Sequence, residues 1–228
     1  MNDNVIREDK YANYLLVEGS DDKHVFRRLL DHYHIPQQFK IKNEHFEIKD
    51  HEGIDNLLNL KTLRTYLKIV DEPRRFGIVV DADTDLMARW QKLSDILKSS
   101  GYSSIPLTPK PEGTLLREEG RPVVGIWLMP NNKIPGMLED FISFLVPPND
   151  LLWPIAENVL QKVKVVEEAL RFRDIHESKA RIHTWLAWQK EPGKPMSLAI
   201  TARYLDTTAL NAQQLINWIR KLFDLETV

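Results

Sequence analysis

The stretch Phe76-Gly77-Ile78-Val79-Val80-Asp81-Ala82-Asp83-Thr84-Asp85 constrains the fold more than any other part of the chain. Its apolar portion is short, rich in β-branched residues and without the alternation of a half-buried strand, which predicts a central strand covered on both faces. Three carboxylates arrive where that run stops. Residues two apart on an extended chain point to the same side, so Asp81 and Asp83 are expected to face one spot if the extended geometry persists that far. Two such carboxylates repel unless positive charge lies between them, and a hard divalent cation with oxygen ligands is the usual source of it.

Tyr14-Leu15-Leu16-Val17 is a second short apolar run and ends at Glu18-Gly19. Ser20 stands where it can cap a helix, and Asp21 and Asp22 fall in a first turn where the helix dipole favours negative charge. Phe26, Leu29, Leu30 and Tyr33 keep helical spacing, so the unit reads strand, tight turn, helix. Phe46-Glu47-Ile48-Lys49 is a weaker strand candidate. Ile54, Leu57, Leu58, Leu63, Leu67 and Val70 carry the next helix, and Leu86, Trp90, Leu93 and Leu97 carry one after the central strand. Strands alternating with helices predict an α/β fold, with a mainly parallel central sheet flanked by helices and right-handed crossovers. That core is expected over residues 11–146, with a Pro- and Gly-bearing insertion or loose hairpin at 102–122. Residues 123–129 restore a buried strand, and Glu139 and Asp140 follow soon after it. Beyond Pro147-Pro148, residues 149–228 read as a mostly helical extension, with Ile155, Val159, Val163 and Val166 spaced for one face.

Composition narrows the function classes. Among 228 residues, 43% are hydrophobic and 28% charged, with a formal net charge of -2, so a globally basic surface is excluded. Any nucleic-acid contact has to be a local groove. Lys61, Arg64, Lys68, Arg74 and Arg75 form a locally basic stretch that either guides phosphates or keeps a helix solvated. The absence of cysteine excludes disulfides, thiol nucleophiles and Cys-ligated zinc, and the histidines show no zinc-ligand grouping. Residues 1–10 carry no apolar signal core and no run is long enough to span a bilayer, so the expectation is a cytoplasmic chain without membrane contact.

In an open parallel sheet, ligands bind beyond the carboxyl ends of the strands. Glu18, Asp81 and Asp83 all fall at such ends, far apart in sequence yet able to meet in space. These residues resemble the motifs of Toprim domains. Leu15-Leu16-Val17-Glu18-Gly19-Ser20-Asp21-Asp22 resembles their glutamate motif, and Val79-Val80-Asp81-Ala82-Asp83 their D-x-D motif, in the same order. The likeness covers roughly residues 11–146 and is strongest to the Toprim part of OLD-type nucleases and their small stand-alone relatives.

The resemblance implies a compact α/β fold that binds Mg²⁺ or Mn²⁺, with Glu18 as acid/base or ligand and Asp81 and Asp83 as ligands. It also implies a further acidic group after the fourth strand, which Glu139 or its neighbour Asp140 supplies, and a downstream lysine, for which Lys179 fits better than Lys194. Asp85 either joins the metal shell or caps the following helix. Lys179 has a rival reading as part of a solvated helix face with Arg171, Arg173, Asp174, Glu177 and Arg181. The implied activity is metal-assisted hydrolysis of nucleic-acid phosphodiesters, in which Lys179 offsets developing phosphate charge. No G-x-x-x-x-G-K-S/T loop is present, so the ATPase to which OLD nucleases join their Toprim part would be a separate partner here. Other readings stay open: a catalytically degenerate Toprim-like subunit that binds nucleic acid or a partner, and a D-x-D phosphatase, in which Asp85 stands where Thr or Val is usual.

Overall fold

A computed structural model of the chain describes residues 13–35, 46–67 and 74–225. The two apolar runs become adjacent strands, β1 (Asn13–Val17) and β3 (Arg75–Asp81), each nearly or wholly buried along its length. With β2 (Phe46–Asp50), β4 (Thr114–Leu116) and β5 (Val123–Met129) they form a five-stranded sheet in the order β2-β1-β3-β5-β4. All pairings are parallel except that of β4 with β5. Segment 102–122, read as an insertion or loose hairpin, thus supplies the edge strand β4 of an antiparallel hairpin. Among the described residues no helix is long and apolar enough to cross a membrane.

Side-chain parity sorts the core into two layers. Leu15, Val17, Val79, Trp127 and Met129 face a layer that includes α1 (Ser20–His32), α5 (Leu138–Ser143), α8 (Met196–Thr201) and α9 (Leu210–Phe223). Tyr14, Leu16, Ile78, Val80 and Leu128 face the other, with α2 (Ile54–Leu57), α3 (Leu60–Tyr66) and α4 (Leu86–Ser99). The connection from β1 to β2 therefore runs on one face and that from β2 to β3 on the other. Strand order reverses between β1 and β3, which opens a crevice at their carboxyl ends.

Several local readings need correction. Gly19, not Ser20, is the N-cap of α1, and the cap bond comes from Asp22, whose Oδ2 accepts the Gly19 N–H at 3.1 Å. The helix expected over 54–70 is two short ones, broken where the Asn59 side chain accepts the Lys61 N–H and starts α3; Val70 lies outside the described residues. In α6 (Trp153–Lys164) the buried residues are Ala156 and Leu160, whereas Ile155 and Val166 of the expected stripe are 51% and 43% exposed. The helical C-terminal part joins the main core. Trp218 and Leu222 of α9 lie against the sheet where Gly77 and Gly125 pair across β3 and β5. A Cβ at Gly125 would stand 2.7 Å from Leu222 Cδ2, and one at Gly77 2.4 Å from Leu15 Cδ1. The paired glycines let a helix carrying a tryptophan approach the backbone closely.

Overpacking of this kind costs about 1–3 kcal/mol. Gly125→Ala is expected to lower the thermal midpoint accordingly, and in a Leu222→Ala background the same change should cost far less. Equal losses in both backgrounds, measured by calorimetry, would show that the contact is not the cause.

Candidate functional site

β1 and β3 run in register, Leu16 beside Ile78, so their carboxyl ends lie level at the crevice. Glu18 is the first residue beyond β1. Its Oε1 accepts the backbone N–H of Asp81 at 2.7 Å, and its own carbonyl accepts the Gly53 N–H at 2.8 Å, which fixes the loop after β2. Asp81 closes β3 on the same face as Val79, and its Oδ1 accepts the Leu138 N–H at 3.0 Å at the start of α5. Two carboxylates and the Glu18 carbonyl thereby tie the β3 tip, the start of α5 and the loop after β2 to one rim. The cleft they line, about 260 Å³, includes Glu18, Asp22, Asp81, Glu139 and Lys179.

The electrostatics of that cleft are dominated by crowding. Burial, followed by the charges of Asp22, Glu18, Glu139 and Asp83, holds the Asp81 carboxyl well above the ordinary range. Burial also raises Glu18, although the Asp81 N–H and the charge of Arg89 oppose it. Asp22 is pushed up to about 7, first by burial and then by the charge of Glu18. Lys179 approaches from α7 (Glu177–Ala187), with Nζ 3.6 Å from Oε1 of the buried Glu139. Among the described residues no three His, Cys, Asp or Glu side chains converge as a ready-made metal cage. Mg²⁺ does not need one: it keeps several waters and takes one or two carboxylates. An all-oxygen, desolvated donor set with raised carboxylates fits such an ion.

The structure separates the other candidates. The extended geometry stops at Asp81. Asp83 adopts a left-handed φ of 51°, its N–H bonds to the Gly136 carbonyl at 2.9 Å, and its carboxylate turns to the guanidinium of Arg89. The two-residue parity rule fails there, so Asp83 lines a neighbouring cleft with Asp85, Arg89 and Lys92. Asp85 is the N-cap of α4, its Oδ1 accepting from Met87 N and Ala88 N at 2.9 Å each. Of the adjacent acids, Glu139 enters the central cleft, while Asp140 caps α5 through Met137 N and accepts from Ser178 Oγ. Lys194 pairs with Glu191 at 3.1 Å.

The basic stretch does not gather at the acidic rim. Lys61 and Arg64 lie exposed on α3, and Lys68 lies outside the described residues. Arg74 and Arg75 stand at the far end of β3, about 20 Å from its tip by strand geometry. Arg75 donates there to the Leu222 carbonyl at 2.8 Å and pairs with Asp224 at 3.1 Å. Asp22 is the site residue that sequence reasoning passed over as a first-turn acid. Its spacing of four from Glu18 was the available signal, because an acid at the third helical position turns back over the strand tips.

Fold and site together define an α/β protein with an acidic crevice at the reversal of strand order. The chain belongs to the family described as "Protein of unknown function (DUF3226)", whose model matches residues 12–224. No curated protein matches it. Among solved structures it is similar to the C-terminal region of the Xanthomonas campestris pv. campestris OLD protein, with 12% identity over 97% of this chain and 100% of that one and a TM-score of 0.40.

Asp22 yields a prediction about the metal-free protein. Its folded form holds a proton up to about pH 7 whereas the unfolded chain releases it near the ordinary 3.8, so its contribution to stability is lost as pH rises through that window. His51, held below its usual value by burial, acts in the opposite sense near its unfolded value of 6.5, so the comparison has to be made between variants. With a chelator present, Asp22→Asn is expected to melt higher than wild type at about pH 8, and the gap should shrink towards about pH 5. A gap that does not change with pH would exclude the charge-crowding account.

Proposed function

We propose that this chain is a metal-dependent nuclease of the Toprim type, hydrolysing nucleic-acid phosphodiester bonds with Mg²⁺ or Mn²⁺ and working beside a separate ATPase in defence or repair. The observation that carries this reading is the junction of Glu18 and Asp81. Two desolvated carboxylates from adjacent strands share one rim, linked through the 2.7 Å bond from Asp81 N–H to Glu18 Oε1, and Asp22 and Glu139 crowd them further. The resemblance of Glu18-Gly19 and Asp81-Ala82-Asp83 to the Toprim motifs supports this class of chemistry.

In this reading Asp81 and Asp22 would hold the ion, with Glu18 beside them. When bound, the ion would supply Lewis acidity toward the phosphate and would lower the pKa of a water at the site. Glu18, with its raised affinity for a proton, suits a group that takes the proton of the attacking water as the new P–O bond forms and gives it to the leaving oxygen as the old P–O bond breaks. Lys179, half exposed on α7, reaches from Glu139 toward the phosphate and offsets the negative charge that builds on it. Asp83 joins the ligands only on leaving Arg89. That commitment favours the rival reading, a Toprim-like subunit that binds nucleic acid or a partner without cleaving it.

Plasmid, linear DNA and RNA offered with Mg²⁺ and with Mn²⁺ separate the two. Cleavage is expected, and Glu18→Gln and Asp81→Asn should each reduce it about a hundredfold or more while leaving the fold intact. Metal at a hundred times its Kd should stabilise the wild type by roughly 2.7 kcal/mol, and Asp81→Asn much less. Full activity in either variant overturns the nuclease; metal binding without cleavage of any substrate supports the rival.

A further inference from the structure

Glu139 and Asp140 differ by one position, yet they serve different contacts, and the second explains how the first meets its partner. Asp140 Oδ2 accepts the Met137 N–H at 2.9 Å, which starts α5, and its Oδ1 accepts the Ser178 hydroxyl of α7. One residue on along α7 and one residue back along α5, Lys179 Nζ faces Glu139 Oε1. The close fit around Asp140 depends on Gly136, which has a φ of 142° and where a Cβ would stand 2.7 Å from Asp140 Oδ2.

We propose that Asp140 and Ser178 form the positioning contact that sets the Lys179 ammonium at the acidic cleft. The proposal rests on the reading of Lys179 as the group that faces the substrate phosphate. α7 is anchored in the core lower down, by Ile182, Trp185 and Leu186, all buried. Its first turn has no side-chain N-cap, and its position follows from Glu177, which holds Lys164 at 2.7 Å on the α6 side, and from Ser178 on the α5 side. Lys179 is 52% exposed, so packing does not fix its direction. The Ser178 bond adds little to the buried core and determines which way the turn bearing Lys179 points. The helical C-terminal part thereby completes a site whose other members lie on the sheet.

Ser178→Ala tests this with two readouts. In cleavage of the best substrate, kcat is expected to fall about tenfold with KM and the metal-induced shift in melting temperature nearly unchanged, since misplacing a reacting group loses rate rather than binding. Acetylation of Lys179 by an amine-reactive reagent, followed by mass spectrometry, should become several-fold faster because its ammonium is released from Glu139. Ser178→Thr keeps the hydroxyl and should restore both. If the wild type cleaves nothing, the nuclease reading falls while the acetylation arm still reports on the contact. Wild-type acetylation in Ser178→Ala, or equal losses in the Ala and Thr variants, would overturn the proposal.

Discussion

The bond from the Asp81 N–H to the Glu18 carboxylate is the interaction on which the rest of this rim depends. It joins the tips of two parallel strands at the point where strand order reverses. Asp81 then reaches onward to the first turn of α5 through Leu138 N–H, and Glu18 reaches back to the β2 loop through Gly53 N–H. Backbone donors normally stabilise the charged form of a carboxylate. Here desolvation and mutual repulsion outweigh them for both residues, and their carboxyls stay raised. The folded chain thus holds acidic groups closer together than their ionised forms favour, and the scaffold has to be stiff enough to keep them there.

That stiffness comes from a core the two ends of the chain share. Gly77 and Gly125 forgo side chains so that Trp218 and Leu222 of α9 can rest against the first halves of β3 and β5, the strands whose other ends carry the site. Arg75, at the other end of β3, donates to the last-turn carbonyl of Leu222 and pairs with Asp224, the left-handed residue that ends α9. Cations near a helix C-terminus satisfy orphan carbonyls and the helix dipole together. An arginine that reads in sequence as a phosphate guide therefore works as a clasp between the central strand and the closing helix.

Much of this arrangement was legible because it rests on periodicity. The buried strands, the amphipathic helices after β1 and β3, and the placing of Glu18 and Asp81 at strand ends follow from short β-branched runs and from apolar residues three and four apart. The helical stripe at 155–166 misled because spacing marks a face without saying what lies opposite it. Asp83 was lost to a single backbone angle: one left-handed residue turned its carboxylate toward Arg89. Glu139 and Asp140 differ by about 100° around a helix whose phase the sequence does not carry. Asp22 looked like an ordinary first-turn acid until the fold brought that turn over the tips of β1 and β3. The far-end location of Arg74 and Arg75 was readable all along, because they precede the strand whose other end carries Asp81.

The distribution of positive charge gives the site its character. Among the described residues two cations flank the acidic rim, Arg89 from the α4 layer and Lys179 from the C-terminal helices, and each is engaged by an acid other than the central pair, Asp83 in one case and Glu139 in the other. Arg89 does act on Glu18 through space, yet burial still raises that carboxyl, and Asp81 is raised further. Had either cation paired directly with Glu18 and Asp81, the rim would be a neutral salt-bridge network with little affinity for added charge. As built, the central carboxyls are crowded by one another, while the flanking cations are held by their neighbours Asp83 and Glu139. Under the proposed function, a divalent ion would take the place of the protons on the crowded carboxyls and a phosphate would engage the flanking cations, so that the two together would answer both halves of the site.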